Sequence, residues 1–134
     1  MKLIVCLDDA GGMMFNRRRQ SRDRVLIADM IRHVGKSSLR TSPYSVPLFG
    51  EDASTLCAVP NPLENAKSGD YCFVEDTPLP QNLNGVDELI IYRWNRLYPS
   101  DVRFDCDTSA FSLAENCEFA GSSHDKIKKE IWKK

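Results

Sequence analysis

The opening residues constrain the fold more than any other part of the chain. Lys2-Leu3-Ile4-Val5-Cys6-Leu7 is an apolar run of strand length that stops at Asp8-Asp9-Ala10-Gly11-Gly12. Such a run, closed by carboxylates and paired glycines, reads as a buried strand followed by a glycine turn. A strand buried on both faces needs neighbouring strands and a layer packed over it. The clearest helical pattern follows at once, because Leu26, Ile27, Met30, Ile31 and Val34 recur at helical spacing. We expect one helix over residues 21–34, with Ser21 as N-cap, Asp23 in its first turn and Gly35 ending it in the left-handed conformation.

The remaining apolar runs are strand-like. Residues 36–68 carry Pro43, Pro47, Pro60 and Pro62 and sustain neither periodicity, which predicts short strands and loops. Tyr71-Cys72-Phe73-Val74 reads as a buried strand broken by Glu75-Asp76-Thr77-Pro78. Glu88 through Trp94 is the best strand in the chain, rich in β-branched and aromatic residues. Pro99-Ser100-Asp101 turns it toward Val102-Arg103-Phe104, and Phe111-Ser112-Leu113 forms a further short strand. Residues 120–132 admit two readings. Ser122 and Asp125 have capping-box spacing and Ile127 and Ile131 lie four apart, as in a helix, whereas Lys128 through Trp132 alternates as the strand of a closing hairpin. The fold class is therefore α/β, a twisted mixed sheet with one main helix and few others. At 134 residues we expect a single domain spanning 1–134, able to bury roughly two thirds of its unfolded surface.

Composition narrows the partners. Eighteen Lys and Arg against nineteen Asp and Glu leave a net charge of −1, without the positive excess usual in general nucleic-acid or membrane-surface proteins. No apolar run approaches a membrane span, and the first is too short for the core of a signal peptide. Cys6, Cys57, Cys72, Cys106 and Cys117 are odd in number and contain no CxxC pair, as expected for reduced thiols in a cytoplasmic protein. His33 and His124 alone are too few for the di-zinc HxHxDH site of a ribonuclease Z, so no metal is expected.

The order of these pieces resembles dihydrofolate reductase in a reduced form. The opening strand Leu3-Ile4-Val5-Cys6-Leu7-Asp8, the Gly12-Met13 pair and Arg22-Asp23-Arg24-Val25-Leu26 follow that family's strand, loop and first helix turn. Toward the end, Asp70 through Val74, Val86 through Tyr92, Ser100 through Phe104 and Phe119 through Trp132 follow its later strands and closing hairpin. The likeness runs over residues 1–50 and 70–134, while the Pro-rich stretch 51–69 stands where the family has most of its nucleotide-binding half. The family's Gly-Gly pair aligns with Glu75-Asp76, which sets side chains and two negative charges where a cofactor pyrophosphate approaches bare backbone. One such repulsion near 4 Å is worth about 4 kcal/mol at an effective dielectric of ~20, roughly a thousandfold in affinity. NADPH is therefore not expected as a cofactor. The resemblance implies a bacterial protein of this fold more than it implies the activity.

It also implies site residues. Asp23 aligns with the carboxylate at the base of the family's pterin pocket, and Tyr92 with its hydroxyl partner. A half-buried Asp beside a phenol has a raised pKa and serves as a proton relay; the alternative is a surface Asp23 that complements the helix dipole by about 0.3–1 kcal/mol. Arg17, Arg18, Arg19, Arg22 and Arg24 crowd into eight positions and suit a phosphorylated or carboxylated ligand or an RNA backbone, unless Asp8, Asp9 and Asp23 pair with them. Ser122 and His124 hold an anion if a helix begins there, but sit in an ordinary turn with His124 exposed if a hairpin does. Tyr92 through Tyr98 interleaves aromatics with arginines, as single-stranded nucleic-acid binders do, although the core explains Tyr92 and Trp94 equally. The function expected is binding of a small planar or anionic ligand, or of a protein partner, with homodimerisation through sheet edges as one form of it. A weak NADPH-dependent pterin-type reductase and a metal-free RNA-binding or RNA-cleaving protein using His124 are the alternatives.

Overall fold

The computed structural model describes residues 1–50 and 54–134. In chain order its strands are β1 (Lys2–Leu7), β2 (Gly12–Phe15), β3 (Arg18–Arg19), β4 (Leu39–Thr41), β5 (Leu56–Ala58), β6 (Tyr71–Phe73), β7 (Glu88–Arg93), β8 (Val102–Arg103), β9 (Ser112–Phe119) and β10 (Ile127–Lys133). One helix, α1 (Arg24–Val34), lies between β3 and β4, and a short 3-10 turn covers Val46–Leu48. Seven strands form a mixed sheet in the order β5-β4-β6-β1-β7-β10-β9. The first five of these run parallel, β10 adds antiparallel to β7, and β9 adds antiparallel to β10. A separate three-stranded sheet, β3-β2-β8, stands beside the end of β1.

The central position of β1 follows from its sequence, because both faces are apolar. Ile4 joins the cluster under α1 with Leu26, Met30, Phe73, Ile90 and Ile131, while Leu3, Val5 and Leu7 join Met13, Val74, Leu89 and Ile91 on the other face. Burying each of Leu26 and Met30, both fully inaccessible, contributes on the order of 2 kcal/mol. Gly35 ends α1 at φ +60°, and its N–H reaches the Ile31 carbonyl.

Two expectations change, and one open reading is decided. The helix starts at Arg24 rather than residue 21, because Asp23 is its N-cap: the residue is extended at φ −152° and its side chain accepts from the Val25 and Leu26 N–H groups. Residues 120–132 are the turn and second strand of a hairpin. A four-residue apolar spacing satisfies period two and period 3.6 alike, and the free side of β7 selected the strand, pairing Ile131 with Ile90. The short strand read at residues 111–113 is the start of the eight-residue β9, which forms the outer edge of the sheet and is exposed along nearly all its length. Its polar sequence hid it. Among the described residues no helix is long and apolar enough to cross a membrane, and the five cysteines form no disulfide.

Candidate functional site

The parallel strands of the sheet all end on one side, where loops converge and where ligands of such sheets bind. Asp8, Asp23 and Glu75 are buried on that side. Asp8 follows β1, Asp23 immediately precedes α1, and Glu75 comes just after β6. Asp23 and Glu75, far apart in sequence, line one small pocket with Arg19, Leu26, Phe73 and Trp94.

Asp23 is the most heavily bonded. Its Oδ1 accepts from the N–H groups of Val25 at 2.9 Å, Leu26 at 3.2 Å and Ser122 at 3.0 Å. Its Oδ2 accepts from the Ser123 N–H at 2.8 Å and lies 3.1 Å from His124 Nδ1. Ser122 Oγ caps a further helix donor by accepting from the Arg24 N–H at 3.0 Å. Gly121 is required here, since a Cβ on it would collide with the Asp23 carboxylate. Burial alone raises the Asp23 pKa, but the Ser123 and Ser122 N–H groups and His124 outweigh it and hold the carboxyl well below the usual carboxylate range. Asp23 is thus an ionised structural anion, neither the surface residue nor the raised-pKa proton relay of the two sequence readings.

His124 is buried, with its side chain 2% exposed, which corrects the expectation that a hairpin turn leaves it in solvent. Facing the Asp23 carboxylate, the Nδ1 of the ring carries a proton and donates to it. Tyr98 OH stands 2.9 Å and Ser21 Oγ 3.1 Å from Nε2. The ring stacks on Trp94 at 4.6 Å between centroids. Ser122 and Ser123 do bind an anion through backbone N–H groups, as the helix reading proposed for Ser122, but from a turn, and the anion is Asp23.

Tyr92 does not meet Asp23. Its hydroxyl donates to Asp29 Oδ2 at 2.6 Å, and Asp29 also receives Lys129 at 2.8 Å and Arg32 at 3.1 Å. Burial and the Asp29 carboxylate push the Tyr92 phenol far above its ordinary range. The pairing expected from the resemblance is replaced because α1 presents Asp29, two turns beyond its N-cap, to the ring. Trp94 is buried in the same cluster and Arg93 is tied to Glu130 at 2.9 Å, so this stretch is core and ion pair rather than a stacking surface.

Asp8 accepts from the N–H groups of Gly12, Ala10 and Tyr98 and from the Gln20 amide, at 2.7–3.1 Å. It therefore does not neutralise the arginines. Arg19 is engaged elsewhere, in a forked pair with Glu75. Arg17, Arg18, Arg22 and Arg24 are exposed and form no ion pair with a described residue. Arg22, Asp23 and Arg24 line a groove of about 290 Å³ together with Ile27, Ile31, Leu48 and Phe49, between α1 and the 3-10 turn. Asp29, Glu75, Trp94 and Tyr98 were not singled out individually as site residues in the sequence; each acts on a partner distant along the chain, and no local pattern marks them.

Compared by sequence, the chain matches no family model and no curated protein. Among solved structures it resembles a dihydrofolate reductase from Enterococcus faecalis, described as complexed with NADP(H) and RAB-propyl. The match has a TM-score of 0.68, 9% identity, and covers 98% of this chain and 94% of that one. The seven-stranded mixed sheet, with the one helix seen among the described residues, is therefore a dihydrofolate-reductase-like fold.

Proposed function

We propose that this chain is a reduced, non-catalytic or weakly active dihydrofolate-reductase-like binding domain. It acts as one domain over residues 1–134, in the cytoplasm, and takes a small planar, anionic ligand in the groove between α1 and the 3-10 turn. The observation that carries this reading is the contrast between that groove and the carboxylates beside it. Asp23 and Asp8 have their acceptor sites filled by the chain itself, whereas the groove is open and lined by apolar Ile27, Ile31, Leu48 and Phe49 and by Arg22 and Arg24, beside the already satisfied Asp23. An apolar slot with a few convergent charged groups suits a flat ring carrying a carboxylate or phosphate.

NADPH does not fit this reading. Glu75 and Asp76 place carboxylates where the resemblance sets a pyrophosphate, and Ser42 and Ser45, the hydroxyls of that corner, are already donating to them. Metal-free RNA cleavage by His124 is equally disfavoured, since both ring nitrogens are engaged and the ring is buried.

Melting curves with folic acid, p-aminobenzoylglutamate and NADPH, each up to millimolar, test the proposal. A saturable rise with a folate-type ligand, weakened about tenfold in affinity by Arg22→Ala with Arg24→Ala, supports it. A rise with NADPH alone overturns it in favour of the reductase, and no rise with any of the three removes the planar-ligand version. A second reading rests on β9, an eight-residue edge strand exposed to solvent. Such an edge pairs readily with another chain, and a gel-filtration mass of one protomer at high concentration would exclude a stable homodimer.

A further inference from the structure

A second internal anion lies at the ends of β4 and β6, and its donors differ in kind from those around Asp23. Glu75 is 6% exposed, and Arg19 approaches it as a fork, Nε to Oε1 at 3.2 Å and Nη2 to Oε2 at 3.0 Å. Ser45 Oγ donates to the same Oε2. The Arg19 guanidinium also lies over the Tyr44 ring, with Cζ 4.7 Å from its centroid, and the Arg19 N–H donates to Tyr44 OH at 3.1 Å. A stacked, forked guanidinium with a converging hydroxyl, at the carboxyl ends of parallel strands, is a donor set for a small oxyanion.

We infer that Arg19, Ser45 and Tyr44 form an oxyanion-binding site whose ligand in the native chain is the Glu75 carboxylate, and that a free carboxylate or phosphate occupies it once that side chain is removed. The site is separate from the groove at Arg22 and Arg24 and does not depend on the groove's function. Two features support it. Both donors have contacts other than Glu75: the Arg19 guanidinium lies over the Tyr44 ring and reaches its carbonyl, the Arg19 backbone N–H donates to Tyr44 OH, and the Ser45 backbone N–H donates to the Ser42 carbonyl. The acceptor comes entirely from a side chain, so truncating it at Cβ leaves the cradle standing with a vacancy of carboxylate size. In the native chain the tethered carboxylate competes at high effective concentration. Asp76, bonded to Ser42 Oγ at 2.8 Å and 2.9 Å, adds a second negative charge beside it. Phosphate-bearing ligands that would settle at this corner are thereby turned away.

The experiment is thermal unfolding of the wild type, Glu75→Ala and the double variant Arg19→Gln with Glu75→Ala. Each is titrated with acetate and with inorganic phosphate against chloride at matched ionic strength. Glu75→Ala should melt lower than wild type and recover saturably by about 4–7 °C at tenfold excess over the apparent Kd of either anion. The wild type and the double variant should respond to acetate and phosphate only as they do to chloride. Should Glu75→Ala not fold unaided, the readout is its refolding yield, and recovery in acetate but not chloride supports the site. Identical behaviour of Glu75→Ala in all three salts, or a wild-type response equal to that of the variant, overturns the inference.

Discussion

Asp23 and Glu75 are both carboxylates buried where the parallel strands of the sheet end, and they are held by different means. Asp23 is held mainly by backbone N–H groups from α1 and from the turn before β10, with the Ser123 hydroxyl and the His124 ring as its side-chain partners. Glu75 meets only side chains, those of Arg19 and Ser45. Backbone donors exist in that arrangement only while the two segments are docked, so Asp23 joins distant parts of the chain. Side-chain donors positioned by their own neighbours persist without their anion, so Glu75 behaves as a resident ligand. The same residue chemistry thus serves as a structural joint in one place and as an occupant in the other.

The sharpest way to break this comparison is Asp23→Ala. It removes the N-cap and leaves the Ser122 and Ser123 N–H groups and the buried His124 without their acceptor, at a cost of about 3–5 kcal/mol in urea unfolding. Acetate should not restore it, in contrast to Glu75→Ala, because the donors separate when the joint is lost. Equal rescue of both variants would erase the distinction.

The acid limb of stability sharpens the same point. The folded pKa of Asp23 lies below its ordinary value of 3.8, so its contribution is complete above that value and is lost as pH falls below it toward the depressed folded pKa. Between pH 4 and 2 the wild type should therefore lose stability by up to about 1.4 kcal/mol per pH unit more steeply than Asp23→Asn. Parallel acid limbs would show that Asp23 carries no such linkage.

Smaller effects belong to residues outside the joint. Tyr92→Phe removes one donor from Asp29, which keeps Lys129 and Arg32, and should cost about 1 kcal/mol in chemical denaturation. A loss as large as that of Asp23→Ala would place the centre of the site at Asp29 instead. The smallest change, and a gain, is expected at the tip of the β2–β3 hairpin, where Arg17 is held at φ +63°. Arg17→Gly relieves that left-handed strain and should stabilise the fold by about 0.5–1 kcal/mol by the same assay.

Much of the architecture was legible because it depends on local pattern. The apolar run of β1, the 3.6-residue spacing under α1 and the β-branched stretch of β7 each specify an element and the face it buries. The hairpin at residues 112–133 was half legible, since the Ile127–Ile131 spacing fits both periods and β9 carries almost no apolar alternation. The site was less legible still. Asp23 and His124 were visible as polar residues in suggestive places, but one was read as a surface charge or a proton relay and the other as an anion holder at a helix start, a ribonuclease residue or an exposed turn residue.

Sequence by itself determined the fold class, the central strand and the helix, because each follows from hydrophobic periodicity within a dozen neighbouring residues. Tertiary structure alone decided what the charged groups do. Whether Asp23 faces a ligand, Tyr92 or the turn at 122–124, and whether Glu75 repels an anion or replaces one, depends on donors up to a hundred residues away. The state of a buried charge is set by the groups packed around it in space, and no local pattern carries that information.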